Sequence, residues 1–220
     1  MPVKIETFVV GPLETNCYVL QAGNGSGDGC WIIDPGWADR SLMDFLRDRQ
    51  LSPSRVLLTH GHGDHIAGVG AIRDAYPNVR ICCAKLDSHM LIDPVANMSA
   101  VMGVPMISPA ADELLSPSEV LTCGLTTWTV VDTSGHTPGG VSYYCEQVGV
   151  VFAGDALFRG SVGRTDLPGG SFARLIKMIA VNLMTLPDET RVLSGHGEPT
   201  TIGHERLTNP FHKEYWKGRL

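Results

Sequence analysis

Residues 56–65 read Val56-Leu57-Leu58-Thr59-His60-Gly61-His62-Gly63-Asp64-His65. An apolar run that ends in a glycine-punctuated polar turn is the pattern of a strand buried on both faces, its C-terminal end opening into a loop. Imidazole nitrogens and a carboxylate packed this closely suit Zn²⁺ or another first-row divalent cation. Gly61 and Gly63 are expected to let the backbone bend so that neighbouring side chains converge. The rival reading, a solvent-facing loop that happens to be rich in histidine, leaves the His-x-His-x-Asp-His spacing unexplained.

Working outward, three more stretches repeat the same setting of a buried strand running into a glycine-flanked loop. They are Val130-Val131-Asp132-Thr133-Ser134-Gly135-His136, Val150-Val151-Phe152-Ala153-Gly154-Asp155 and Val192-Leu193-Ser194-Gly195-His196. Taken singly, His136, Asp155 and His196 would each read as a hydrogen-bonded structural group. Strand C-termini are where open α/β sheets place their sites, so four such loops can share one cleft. Five histidines and two aspartates exceed the four ligands of one zinc, and two adjacent cations are the economical reading. A carboxylate can span such a pair, and a water held between them would ionise near neutral pH, which prepares attack on an acyl carbon.

The chain has 220 residues, 43% hydrophobic, enough for a full core, and disorder is excluded. A net charge of −6 argues against a nucleic-acid partner, which needs a basic surface. No apolar run reaches the length of a membrane span, and Met1-Pro2-Val3-Lys4-Ile5-Glu6 lacks the order of a secretory signal, so a cytoplasmic protein with no membrane partner is expected. The six cysteines show no Cys-x-x-Cys spacing, and most of them read as core thiols of a reducing compartment rather than disulfides or zinc ligands. Without repeats or low-complexity tracts, residues 1–220 are read as one domain.

Strand-like runs fall at Ile5–Val10, Asn16–Leu20, Trp31–Ile33, Val56–Leu58 and Val79–Ala84, then at Val120–Leu121, Thr126–Val131, Val141–Cys145 and Val148–Phe152. A helix is expected over about Asp39–Gln50, turning Leu42, Phe45 and Leu46 inward. A second is expected after Ser171 as N-cap, with Phe172, Leu175, Ile176, Ile179 and Leu183 on one face. Residues 105–117, punctuated by proline and serine, read as a surface loop or short lid. Mixed β and α elements with near-continuous apolar strands imply sheets covered by helices.

His-x-His-x-Asp-His followed by His136, Asp155 and His196, with Asp34 in the early Ile33-Asp34-Pro35-Gly36 turn, resembles the signature motifs of the metallo-β-lactamase superfamily. The resemblance implies an α+β fold, an αββα four-layer sandwich of two pseudo-symmetric halves. Within it, residues 11–18 (Gly-Pro-Leu-Glu-Thr-Asn-Cys-Tyr), 158–166 and 195–206 look like the short glyoxalase II-like hydrolases. Carried over by position, His60, His62 and His136 would hold one metal, Asp64, His65 and His196 a second, and Asp155 both. Asp64 and Asp155 would thereby serve catalysis, and Asp34 would position a ligand from behind. The implied cofactors are two divalent ions per chain, zinc first, with iron or manganese as alternatives. The implied reaction is hydrolysis of a small-molecule acyl thioester, S-D-lactoylglutathione foremost. The chain departs from full-length glyoxalase II in lacking its C-terminal helical domain; after residues 209–211 only nine residues remain, with Lys213, Lys217 and Arg219.

Other readings stand beside this one. A persulfide dioxygenase with one Fe(II), a lactonase or β-lactamase, and a non-enzymatic metal-binding module share much of the motif set. Arg164, past two glycines, fits either recognition of a substrate carboxylate or an ion pair with Asp166. Of the remaining histidines, His89 and His212 read as surface groups and His204 as a brace for the C-terminal segment. Tyr143 and Tyr144 alternate along a strand, one inward and one outward.

Overall fold

The computed structural model describes residues 3–22, 29–37 and 39–211. Strands β1 (Val3–Val10), β2 (Thr15–Ala22), β3 (Cys30–Ile33), β4 (Pro53–Leu57), β5 (Arg80–Ala84) and β6 (Glu113–Leu115) lie in sequence order in one sheet, antiparallel from β1 to β3 and parallel from β3 to β6. The second sheet contains β7 (Val120–Cys123), β8 (Thr126–Asp132), β9 (Val141–Cys145) and β10 (Val150–Gly154). After a small hairpin, β11 (Leu157–Phe158) with β12 (Ser161–Val162), it is completed by β13 (Arg191–Ser194) and β14 (Thr200–Thr201). Its spatial order is β14-β13-β10-β9-β8-β7, with β10 and β13 parallel.

The period-2 alternation of side chains explains why the strands read as apolar throughout. Tyr18, Leu20, Trp31 and Ile33 from the first sheet meet Trp128, Tyr143, Phe152 and Leu193 from the second in the central layer. Val19, Ile32, Val56 and Ile81 face the other way, packed with side chains of helices α1 (Arg40–Asp48) and α3 (Val69–Ala75) and of the single-turn α2 (Gly63–Ile66). Val151, Ala153 and Val192 point outward beneath α4 (Phe172–Met178) and α5 (Ile202–Thr208). The stacking is the expected αββα sandwich.

Helix α1 begins where expected, with the Asp39 carboxylate accepting from the Leu42 N–H (3.1 Å). Ser171 likewise caps α4, but Phe172 is exposed rather than buried, and residues Ile179–Leu183 widen into a π-turn in which Met184 N–H donates to Ile179 O. Two other expectations change. Residues 105–117 include the edge strand β6, whose Glu113 pairs with Arg55 and Arg80. Residues 146–148 form a tight turn before β10 rather than its start. Tyr143 is buried, with its hydroxyl on Leu58 O (2.7 Å), while Tyr144 faces outward. All six cysteines are buried free thiols, and burial pushes Cys30 and Cys82 up to about 12, which leaves them unreactive. No helix among the described residues is long and apolar enough to cross a membrane. His212, Lys213, Lys217 and Arg219 lie outside the described residues.

Candidate metal centre

Four loops, each leaving the C-terminal end of a strand, meet at one edge of the sandwich. The loop after β4 carries His60, His62, Asp64 and His65, that after β8 carries His136, that after β10 carries Asp155, and that after β13 carries His196. Their ligand atoms fall into three sets, each lying within 4.8 Å: His60, His62 and His136; Asp64, His65 and His196; and His60, His65 and Asp155. Asp155 lies between the first two. Its Oδ2 is 3.6 Å from His136 Nε2 and 3.6 Å from His196 Nε2. Every one of the seven residues singled out from the sequence is thus drawn into one cluster.

The imidazoles are oriented from behind. His65 Nδ1–H donates to Asp34 Oδ2 (3.0 Å), His136 Nδ1–H to Arg164 O (2.7 Å) and His196 Nδ1–H to Leu13 O (3.0 Å). Thr59 gives its hydroxyl proton to Asp34 Oδ2 (2.6 Å), so its oxygen accepts from His60 Nδ1–H (3.2 Å). With those protons fixed on Nδ1, the Nε2 lone pairs of these four point inward, while His62 meets the cluster through Nδ1, 2.9 Å from His136 Nε2. His65 Nε2 and His196 Nε2 face each other at 3.3 Å, an arrangement of two acceptors that requires a cation or an added proton between them. His60 Nε2 and Asp155 Oδ1 are buried and make no hydrogen bond. Orphaned acceptors in a buried cluster of nitrogen and carboxylate oxygen fit a divalent metal.

The electrostatics agree. Burial, with the neighbouring imidazoles, holds His60 well below the usual histidine range, and burial with His136 holds His62 down to about 4. Burial opposes charge on His65 as well, but Asp64, Asp155 and Asp34 outweigh it and raise its pKa. His196 is raised against its own burial by Asp64 and Asp155. Burial would raise both carboxylates, yet the adjacent His65 pulls Asp64 and Asp155 below their ordinary values. The carboxylates thus favour positive charge on His65 and His196, as befits a cluster built to hold cations.

Close packing, rather than a bend, is what the glycines provide. Gly61 and Gly63 both have ordinary φ, but a Cβ on Gly61 would lie 2.7 Å from Met90 Cβ, and one on Gly195 would lie 2.2 Å from Asp155 Oδ1. Residues 11–16 clamp the His196 loop: Asn16 N–H donates to Gly195 O (2.7 Å), and Asn16 Nδ2 donates to Ser194 O and Gly197 O.

Sequence reasoning missed Asp87. Its buried carboxylate accepts from Gly61 N–H (3.2 Å) and Thr137 Oγ1 (2.6 Å) on Oδ2 and from Gly139 N–H (2.6 Å) on Oδ1, tying the His60–His62 loop to the His136 loop. Alone in a polar turn, it looks like any surface acid. Within the described part of the C-terminal segment, residues 202–211, the side chain of His204 contributes only a ring that is 47% exposed and 3.9 Å from Glu205. The buried neighbour braces this part, with Glu205 accepting from Gly160 N–H, Thr200 Oγ1 and Asn209 Nδ2. Arg164 forks onto Asp166 with contacts of 2.8 and 2.7 Å at the rim of a cleft of about 430 Å³ that opens onto the cluster.

Comparison with known proteins agrees with this geometry. Residues 10–196 match the family described as the metallo-beta-lactamase superfamily. The chain is 36% identical to the probable metallo-hydrolase YqgX of Bacillus subtilis, over 95% of this chain and 97% of that protein. It is 30% identical to the hydroxyacylglutathione hydrolase GloC of Haemophilus influenzae, over 95% and 98%. Among solved structures, it superimposes on the BLEG-1 B3 metallo-beta-lactamase with a TM-score of 0.89 at 41% identity, covering 95% and 99% of the two chains. It matches TTHA1623 in a di-iron-bound form with a TM-score of 0.82 at 35% identity, covering 94% and 99%. Fold, clustered donors and these likenesses together make the chain a metal-dependent hydrolase belonging to the metallo-β-lactamase superfamily.

Proposed function

We propose that the protein hydrolyses acyl thioesters at a dinuclear metal centre, with His60, His62 and His136 holding one ion, Asp64, His65 and His196 the other, and Asp155 both. One observation carries the reading: the Asp155 carboxylate oxygen lies equidistant, at 3.6 Å, from a histidine of each set, on the floor of a cleft large enough for a small-molecule substrate. Two bound divalent ions would supply Lewis-acid polarisation of the substrate carbonyl and a water ionised near neutral pH. The chain's own residues do the rest. Asp34, Thr59, Arg164 O and Leu13 O keep the four Nδ1 protons turned away, so that lone pairs face the centre. Water adds to the thioester carbon, the C–S bond breaks, and an acid and a free thiol leave.

GloC, named for hydroxyacylglutathione hydrolysis, supports S-D-lactoylglutathione as the first substrate to assay. The test is metal analysis of protein purified without added salt, followed by thiol release from S-D-lactoylglutathione with and without a chelator. About two ions per chain and chelator-sensitive, oxygen-independent turnover are expected. One iron per chain with oxygen consumption by glutathione persulfide would overturn the reading in favour of a dioxygenase. The likeness to BLEG-1 favours a second reading, β-lactam hydrolysis at the same centre, which a chromogenic β-lactam assayed in parallel distinguishes.

A further inference from the structure

Beyond the ligands, the cleft is walled mainly by apolar side chains. Leu13, Met98, Val101, Met102 and Leu167 line it, and its two other polar residues are already committed. Asn97 is buried and gives its amide protons to Met90 O and Met106 O. Arg164 is forked onto Asp166. Val101 is 72% exposed and Met102 44%, an outlay of apolar surface at the rim that the core does not call for.

The wall is fixed to the metal loop. Gly63 N–H donates to Asn97 O (2.8 Å), and Ser99 is held twice, its N–H by Asn97 Oδ1 and its hydroxyl by the Met106 N–H. Within this turn Met98 sits at φ +68°, in the left-handed region that side-chain-bearing residues seldom adopt. Met98 lines the cleft from that turn, between the hydrogen-bonded Asn97 and Ser99; backbone strain of this kind is found at sites that contact a ligand.

We propose that the cleft selects substrates by an apolar acyl chain laid against Met98, Val101 and Met102, so that straight-chain acyl thioesters are preferred over the hydroxylated lactoyl group. This rests on the thioester reading above and names the class of acyl group that the same site takes. Apart from the metal ligands, the described lining offers only Asn97, whose amide protons are used, and Arg164, paired with Asp166 at the rim, whereas each methylene moved from water onto apolar side chains favours binding by up to about fourfold.

The test uses the zinc-loaded protein and linear carboxylates from acetate to octanoate, with affinities read by calorimetry. The carboxylate end contributes the same interaction throughout, so the slope with chain length reports the wall alone. Affinity is expected to rise about two- to fourfold per methylene and then level off. Met98→Gly should leave the melting temperature unchanged or higher, since glycine accepts φ +68° freely, yet flatten that slope; Met102→Gln should flatten it too. A flat slope in the wild type, or variants that keep its slope, would overturn the proposal. The two failures are distinguishable: a rising slope without thiol release from any acyl thioester removes the thioester reading and leaves only an apolar binding wall, and turnover of lactoylglutathione with a flat slope removes this proposal alone.

Discussion

Replacing Asp34 with asparagine isolates the hydrogen bond that orients His65. Asp34 is buried at φ +48°, a left-handed conformation that asparagine tolerates as well as aspartate, so the backbone contributes little to the difference. In the Asp34→Asn variant the side-chain oxygen can keep the 2.8 Å bond from Thr59 N–H. The amide nitrogen then replaces Oδ2, which accepts from Thr59 Oγ1 and from His65 Nδ1–H. The first partner is an oxygen and can accept instead; the second is a donor facing a donor. His65 must give up that bond or move its proton to Nε2, which removes the lone pair from the centre. A charge-assisted hydrogen bond is worth about 1.5–3 kcal/mol. Loss of a ligand's outer partner costs about 10–100-fold in metal affinity, or about 1.4–2.8 kcal/mol at about 1.4 per decade. The two figures agree. Competition of the loaded protein against a chelator should therefore show one ion released about 10–100-fold more readily, with the other little changed. Superimposable curves for wild type and Asp34→Asn, even with a lowered melting temperature, would refute the role.

Asp155→Ala should abolish retention of both ions together with hydrolysis, and metal analysis of the purified variant checks this; two ions retained with normal turnover would remove the bridging role. Asp87→Asn sets its amide nitrogen against the N–H of either Gly61 or Gly139, a loss of about 1–3 kcal/mol, so calorimetry should record a melting temperature lower by roughly 2–12 °C at about 2–4 °C per kcal/mol. His204→Ala, in contrast, should lie within about 0.5 kcal/mol of the wild type; a larger fall in chemical denaturation would restore the histidine to a bracing role.

The strands and the cluster were legible because both announce themselves by side chains in a pattern. Alternating faces of β2, β3 and β10 are apolar in each direction, which only a sheet covered on both sides explains, and His60 to His65 are too closely spaced for ordinary surface residues. What stayed hidden carries no such pattern. The partners of His136 and His196 are main-chain oxygens of Arg164 and Leu13, groups that every residue possesses. Asp87 and Glu205 are lone acids whose burial is decided by distant loops folding over them. Phe172 occupies the right phase for the core, yet it falls in the first turn of α4, where the sheet no longer covers it, and it lies 6.0 Å from the ring of Phe211.

The clamp between residues 11–16 and the loop bearing His196 joins stretches that leave the ribosome at opposite times. The early turn must wait, its amide and carbonyl groups hydrated, until the greater part of the chain has been made. The donors His60, His62 and His136 are made before the clamp can close, whereas the set of Asp64, His65 and His196 is complete only with a residue from the last strand-loop unit, so the second site of the proposed centre depends on nearly the whole described chain.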